Sequence, residues 1–352
     1  MEQAEQMTQM AAEIAEQPQA VARTLDALRP VRAELARLTA DTRQVLFVAR
    51  GSSDNACVYA RYLVETHAYK MAGLFSPSVA TQYRAEIDLA GTTVVCVSQS
   101  GETKEIVETM TWAASRGART VAVTNNADSS LADTADLALV TLAGEERAVP
   151  ATKTYTTQLA AMTILASALA PDPTALDADL ARVPAEMARL IERRQGVDRA
   201  AELLSGTTEV LVSGRGLLFG TALEVALKLE ETCLRPVRGL SYADLKHGPI
   251  AVVDDEMVTV VVAPQDGPVL GGLTEMASDL RRRGAVTIGI GGDTEFQRIC
   301  THAVPGPDLP ESVAPLAAVV PGQLVVETLA RRLGLDPDAP RGLSKVTQTD
   351  RH

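Results

Sequence analysis

Short runs of consecutive β-branched and aliphatic residues, each ending in glycine or small polar residues, recur along the chain. Residues 44–53 read QVLFVARGSS, residues 92–97 read TTVVCV, and Gly117-Ala118-Arg119-Thr120 opens VAVTNN. Apolar runs without alternation predict strands covered on both faces, as in parallel sheets shielded by their crossover helices. Helical patterns separate the runs, so the order is strand, helix, strand. The runs then come a second time. EVLVSGRG at 209–216 echoes the first, the stretch 259–267 echoes 94–101, and Gly284-Ala285-Val286-Thr287 opens IGIGGD. The three echoes share an offset of roughly 165 residues, which predicts one unit built twice. The expected class is α/β, two doubly wound, flavodoxin-like parallel sheets. The expected layout is a helical segment over 1–40, a first domain over 41–170, helical connectors over 171–204, a second domain over 205–335 and a tail over 336–352. Pro171-Asp172-Pro173 marks the break between the halves.

With 352 residues and a 46% hydrophobic composition, the chain has room for two cores. Its formal charge of −12 opposes nucleic acid or an anionic membrane as partner. Any phosphate must then be captured by a local arrangement. The four cysteines, Cys57, Cys96, Cys233 and Cys300, form no CxxC pair, and the four histidines show no metal-ligand spacing. Neither metal nor cofactor is expected. The uncharged stretch 159–170 is too short to cross a bilayer, and the Glu- and Gln-rich amino terminus is no secretory signal, so a cytoplasmic location is expected.

The most informative residues are Ser98-Gln99-Ser100-Gly101-Glu102-Thr103. They follow the strand 92–97 and precede a helical stretch beginning at Lys104. The first N–H groups of a helix lack intrahelical partners and the dipole is positive there, so such a turn receives anions. Hydroxyls and an amide add neutral donors, and no Walker lysine follows. A small phosphate monoester fits this loop; a capped strand-to-helix turn is the plainer reading. Gly214-Arg215-Gly216 does not make a dinucleotide fingerprint, because the third glycine, Gly220, falls one place late.

Only six of the 33 basic residues are lysine. Where arginine serves for most solvated charge, the remaining lysines are enriched for sites that need a slim or deprotonatable amine. Lys228 lies in the strongly helical segment 221–232, where Glu224, Lys228 and Glu231 at i, i+4 and i+7 share one face. That face is either a solvated salt-bridge stripe or part of a catalytic site. Lys246-His247-Gly248-Pro249 puts a histidine in a turn, as a proton shuttle or a structural turn residue.

Taken in order, these motifs resemble the tandem sugar isomerase (SIS) domains that form the isomerase half of glucosamine-6-phosphate synthase. The resemblance runs from Glu16-Gln17-Pro18 through the 98–103 loop, Ala151-Thr152-Lys153, Ala226-Leu227-Lys228-Leu229 and residues 245–249. It ends at Pro340-Arg341-Gly342-Leu343-Ser344-Lys345. It implies that Ser98, Gln99, Ser100 and Thr103, with Ser53, hold a sugar phosphate, and that Ser52, Val149 and Ala151 contact the sugar. Glu231 would move a proton between C1 and C2. His247 would open the ring, reaching the site from the other subunit of a homodimer. Lys345 would form a Schiff base with the ketose, and Lys228 would lie beside the substrate's hydroxyls. Without the resemblance Lys345 reads as a solvated tail lysine. An iminium at C2 acidifies the C1 hydrogens, so a carboxylate suffices to move the proton without a metal.

Two positions depart from the synthase. Arg50 stands where it carries cysteine, adding a fixed charge near the phosphate or sugar head, and Ala151 stands where it carries serine, removing a hydroxyl. The Arg-Gly-Ser-Ser loop is closer to stand-alone glucosamine-6-phosphate deaminases and fructosamine-phosphate deglycases. No cysteine precedes Cys57, so the resemblance implies no glutamine hydrolysis within these residues. The expected activity is deaminating isomerisation of glucosamine 6-phosphate to fructose 6-phosphate. A deglycase, an ammonia-using or partner-fed synthase and a non-catalytic sugar phosphate sensor are the alternatives.

Overall fold

The computed structural model describes residues 7–345 together with 347 and 348; the remaining residues of the expected amino-terminal segment and tail lie outside the described residues. The chain forms two compact units. One gathers residues 19–144 and 154–181 with 347 and 348, the other 7–18, 145–153 and 182–345.

The first unit holds a five-stranded sheet of β1 (Gln44–Val48), β2 (Met71–Leu74), β3 (Thr92–Val97), β4 (Arg119–Thr124) and β5 (Leu137–Val140), in the order β2-β1-β3-β4-β5. Every pairing is parallel. All six residues of β3 are buried, as expected of a central strand shielded on both faces. Val94, Cys96, Ile106, Met110 and Ala122 join strand and helix in one apolar cluster, where each large aliphatic side chain contributes about 1.5–3 kcal/mol. The uncharged stretch 159–170 falls mostly in the helix Lys153–Leu169 and is almost wholly buried, with Leu159, Met162, Ile164 and Leu165 at zero exposure.

The second unit holds β6 (Val210–Gly214), β7 (Val237–Ser241), β8 (Val258–Ala263), β9 (Val286–Gly291) and β10 (His302–Val304), in the order β10-β9-β8-β6-β7. These pairings are parallel too. Read from β7, this is the order of the first sheet, and each strand begins 165 to 167 residues after its counterpart. The expected repeat therefore describes all five strands, including the pairs β2 and β7, and β5 and β10, which the sequence echoes did not mark. Leu211, Val261, Leu273, Met276 and Phe296 form part of its core. No helix of the described residues is long and apolar enough to cross a membrane.

Candidate functional site

A parallel sheet ordered 2-1-3-4-5 has one place where the chain reverses its direction of winding, between β1 and β3. Loops leaving those two strands diverge there and open a crevice at their carboxyl ends. In the first unit both loops carry the residues expected to bind phosphate. The loop after β1 contains Arg50, Gly51, Ser52 and Ser53 and turns into the helix Ser52–Leu63; the loop after β3 runs from Ser98 to Thr103 into the helix Lys104–Ser115. Two helix amino termini, with their positive dipole ends, thus face the same edge of one sheet.

Local hydrogen bonds shape the second loop. Ser98 is buried, accepts from the Gly101 N–H through Oγ at 3.2 Å, and lies 3.2 Å from Thr103 Oγ1. Ser100 Oγ accepts from the Glu102 N–H at 3.2 Å. Gly101 has φ of +68°, and a Cβ there would lie 2.1 Å from Ser129 Oγ, so both backbone conformation and space require glycine. Glu102 reaches away, accepting from Ser130 N–H and Oγ at 3.0 and 2.8 Å. The Lys104 N–H donates to Gln348 Oε1 at 3.1 Å, and Gln348 Nε2 donates to the Glu102 carbonyl at 3.2 Å. Gln99 and Ser100 remain partly open to solvent.

Arg50 does not present a bare charge to a ligand. Its guanidinium makes a forked pair with Glu105, Nε to Oε2 at 3.2 Å and Nη2 to Oε1 at 2.9 Å. Arginine-carboxylate forks fix geometry as well as charge, and this one ties the loop after β1 to the helix after β3. The fixed charge expected of Arg50 is largely neutralised.

The second unit carries the residues expected to act as acid and base. The helix Phe219–Cys233 contains Glu224, Lys228 and Glu231 on one face, as the spacing predicts. The solvated-stripe reading is overturned: the side chains of Glu224 and Lys228 are 0% and 1% exposed, and Glu231 is 25% exposed. Lys228 Nζ lies 3.5 Å from Glu224 Oε1 and donates to Glu231 Oε2. Burial alone would lower the Lys228 pKa, but Glu224, Glu231, the hydrogen bond to Glu231 and the charge of Glu146 outweigh it and raise it above the usual lysine range. Lys228 is thus a fixed ammonium at neutral pH. Glu231 offers a carboxylate at the open end of this face.

Lys345 is also in this unit and is not a solvated tail residue. Its Nζ donates to Glu146 Oε2 at 2.6 Å and to the Ala148 carbonyl at 2.7 Å. Glu146 belongs to the segment 145–153, whose backbone carries the predicted Val149 and Ala151. The Val149 N–H donates to the Asp338 carbonyl at 2.8 Å, fastening this segment to the base of the tail. Both Val149 and Ala151 are half-buried. His247 is placed elsewhere: it caps the short helix Tyr242–Lys246, is exposed, and its ring makes no hydrogen bond or ion pair among the described residues. All four cysteines are buried, and burial pushes the Cys233 and Cys300 thiols up to about 12, so neither is a thiolate nucleophile at neutral pH.

Sequence reasoning missed Glu146, Glu105 and Gln348. Glu105 lies in a helical stretch whose pattern names no partner for it, and Glu146 sits in an irregular Glu-Glu-Arg loop whose only clue is its nearness to Val149 and Ala151.

Comparison with known proteins bears on these arrangements. A family model for the SIS domain matches residues 39–168. The chain is 36% identical over 349 residues to the isomerizing glutamine–fructose-6-phosphate aminotransferase of Thermococcus kodakarensis, a match covering 96% of this chain and 57% of that protein. It spans little more than half the length of the curated relatives it matches. Among solved structures, the C-terminal domain of glucosamine-fructose-6-phosphate aminotransferase from Francisella tularensis superposes with a TM-score of 0.87 at 27% identity, covering 95% of this chain and 99% of that one. A Silicibacter pomeroyi protein, provisionally designated a phosphosugar isomerase, superposes with a TM-score of 0.85 at 31% identity, covering 94% of this chain and 100% of that one. With its parallel sheets, its serine-rich loop and its helix of buried lysine and glutamate, the chain belongs to the SIS family of sugar phosphate isomerases and is related to the isomerase half of glutamine–fructose-6-phosphate aminotransferase.

Proposed function

We propose that the chain converts glucosamine 6-phosphate to fructose 6-phosphate and ammonia. The observation that carries this reading is the grouping, inside one unit, of a partly open carboxylate beside a buried ammonium and a lysine amine held on a second buried carboxylate. Proton transfer at carbon and imine exchange need those groups.

In this reading His247 opens the sugar ring, acting from the second copy of a homodimer. Glu231 removes the C2 proton of the open-chain aldose and delivers it to C1, leaving a hydroxymethyl at C1 and a protonated imine at C2. The Lys345 amine adds to C2 and ammonia leaves; water then releases the ketose and restores the lysine. Lys228 holds a positive charge beside the substrate's hydroxyls and donates a hydrogen bond to Glu231, the base. Ser98, Gln99, Ser100 and Thr103, with Ser53, bind the phosphate through hydroxyls, amide and helix N–H groups, and Ser52 contacts the sugar. Val149 and Ala151 contact the sugar through their backbone, so the missing serine hydroxyl at 151 is tolerated. The relationship to an aminotransferase that forms the same kind of amino-sugar phosphate supports the substrate class, since sugar isomerisation at these carbons is reversible.

Incubation with glucosamine 6-phosphate, measuring fructose 6-phosphate and ammonia together, tests the proposal. Equal amounts of both, lost in Glu231→Gln, are expected. Absence of both products while the protein still binds the sugar phosphate overturns deamination; release of an amino acid from a fructosamine 6-phosphate would then identify a deglycase.

A further inference from the structure

Lys345 must lose a proton before it can attack carbon, and its surroundings name the acceptor. Glu146 is oriented from both sides. Its Oε1 accepts from the Thr152 N–H at 2.9 Å and from Thr152 Oγ1 at 3.2 Å, while its Oε2 accepts from Lys345 Nζ at 2.6 Å. The Glu146 side chain is 0% exposed, whereas Lys345 is 24% exposed, so the lysine keeps an accessible side and the carboxylate stands behind it. The Ala148 carbonyl, also bonded to Lys345 Nζ, orients the ammonium but accepts no proton at working pH.

We propose that Glu146 is the positioning residue for Lys345, holding its ammonium in place and taking its proton when the amine attacks a sugar carbonyl carbon. The proposal rests on the imine chemistry assigned to Lys345 above. The step balances. The proton moves from Nζ to Oε2, the nitrogen lone pair forms a bond to C2, and the C=O π pair moves to oxygen. That oxygen takes the proton back from Glu146 to give a carbinolamine. Loss of its hydroxyl together with one nitrogen proton, as water, then leaves a protonated imine. Ketone and ammonium thus become iminium and water with no change in total charge. The buried setting favours such an exchange, because a charge-assisted hydrogen bond excluded from water gains strength and neither partner must be desolvated anew.

Fructose 6-phosphate and sodium borohydride, with mass spectrometry of the tail peptide, provide the test. Borohydride supplies the hydride that reduces the imine to a stable secondary amine. Wild type is expected to carry the sugar on Lys345. Glu146→Gln, which keeps shape and hydrogen bonding but cannot take a proton, is expected to label at least tenfold more slowly while fructose 6-phosphate binding changes less than twofold. Glu146→Asp should recover part of the rate, which a purely structural contact would not predict. Labelling of Glu146→Gln at the wild-type rate overturns the proposal. Should that variant fail to fold, Thr152→Val decides, since it keeps the carboxylate but releases its orientation; a rate within twofold of wild type overturns the proposal there too. Wild type binding the sugar without any adduct at Lys345 overturns the imine reading itself, and this inference with it.

Discussion

The two units share one sheet order and nearly the same strands, yet they treat the equivalent position oppositely. In the first, the switch point between β1 and β3 ends in Ser98-Gln99-Ser100-Gly101-Glu102-Thr103, with partly open donors at two helix termini. In the second, the switch point between β6 and β8 is filled by the chain's own carboxylate. A Cβ at Gly216 would lie 2.9 Å from Glu311 Oε1, and one at Gly267 would lie 2.5 Å from Glu311 Oε2. The Leu217 N–H, at the head of the helical region after β6, hydrogen-bonds to Glu311. A scaffold that presents N–H groups at the ends of parallel strands attracts an anion wherever it is built. One copy leaves that place partly open to solvent; the other satisfies it internally and buries charged side chains on its long helix instead.

Substitutions can break this division of labour. The largest effect is expected from Glu231→Gln, with deamination falling about 1000-fold, in the range usual for a lost general base, and the thermal midpoint little changed because the side chain is partly exposed. Lys228→Met removes the cation beside the fully buried Glu224 and should cost about 3–5 kcal/mol of stability, read by urea unfolding. Gly101→Ala attacks the other copy. Its positive φ and the clash with Ser129 should cost about 1–3 kcal/mol and weaken sugar phosphate binding, seen as a raised KM with the groups around Glu231 intact.

The smallest and most discriminating effect concerns Glu311. Burial raises its pKa; the Leu217 N–H lowers it in part and Asp266 raises it further. A carboxyl that holds its proton more tightly when folded contributes stability below the ordinary carboxylate value of about 4.3, and that contribution is lost as pH rises through the raised value. Glu311→Gln retains an acceptor for Leu217 without the charge. Its midpoint relative to wild type should therefore rise between pH 4 and pH 8 by an amount of the order of a degree or two, measured by calorimetry. A difference that stays level would show that Glu311 does not carry a buried charge at the second switch point.

What was legible in the sequence was whatever leaves a local period or punctuation. Consecutive β-branched residues announced β3 and β8, glycine-ended loops announced the repeat, and the i, i+4, i+7 spacing put Glu224, Lys228 and Glu231 on one face. The serine-rich turn suggested an anion site because capping chemistry is confined to a few consecutive residues. Spacing alone did not distinguish a wet stripe from a buried triad, since burial depends on what covers the helix. Glu146 holding Lys345, Glu105 neutralising Arg50 and Glu311 filling the second switch point join residues from separate loops, 199, 55 and, for Glu311 and Gly216, 95 positions apart. Such pairings leave no trace in local pattern. They exist because parallel strands deliver distant loops to the same edge of a sheet, and only the folded chain determines which charges meet there.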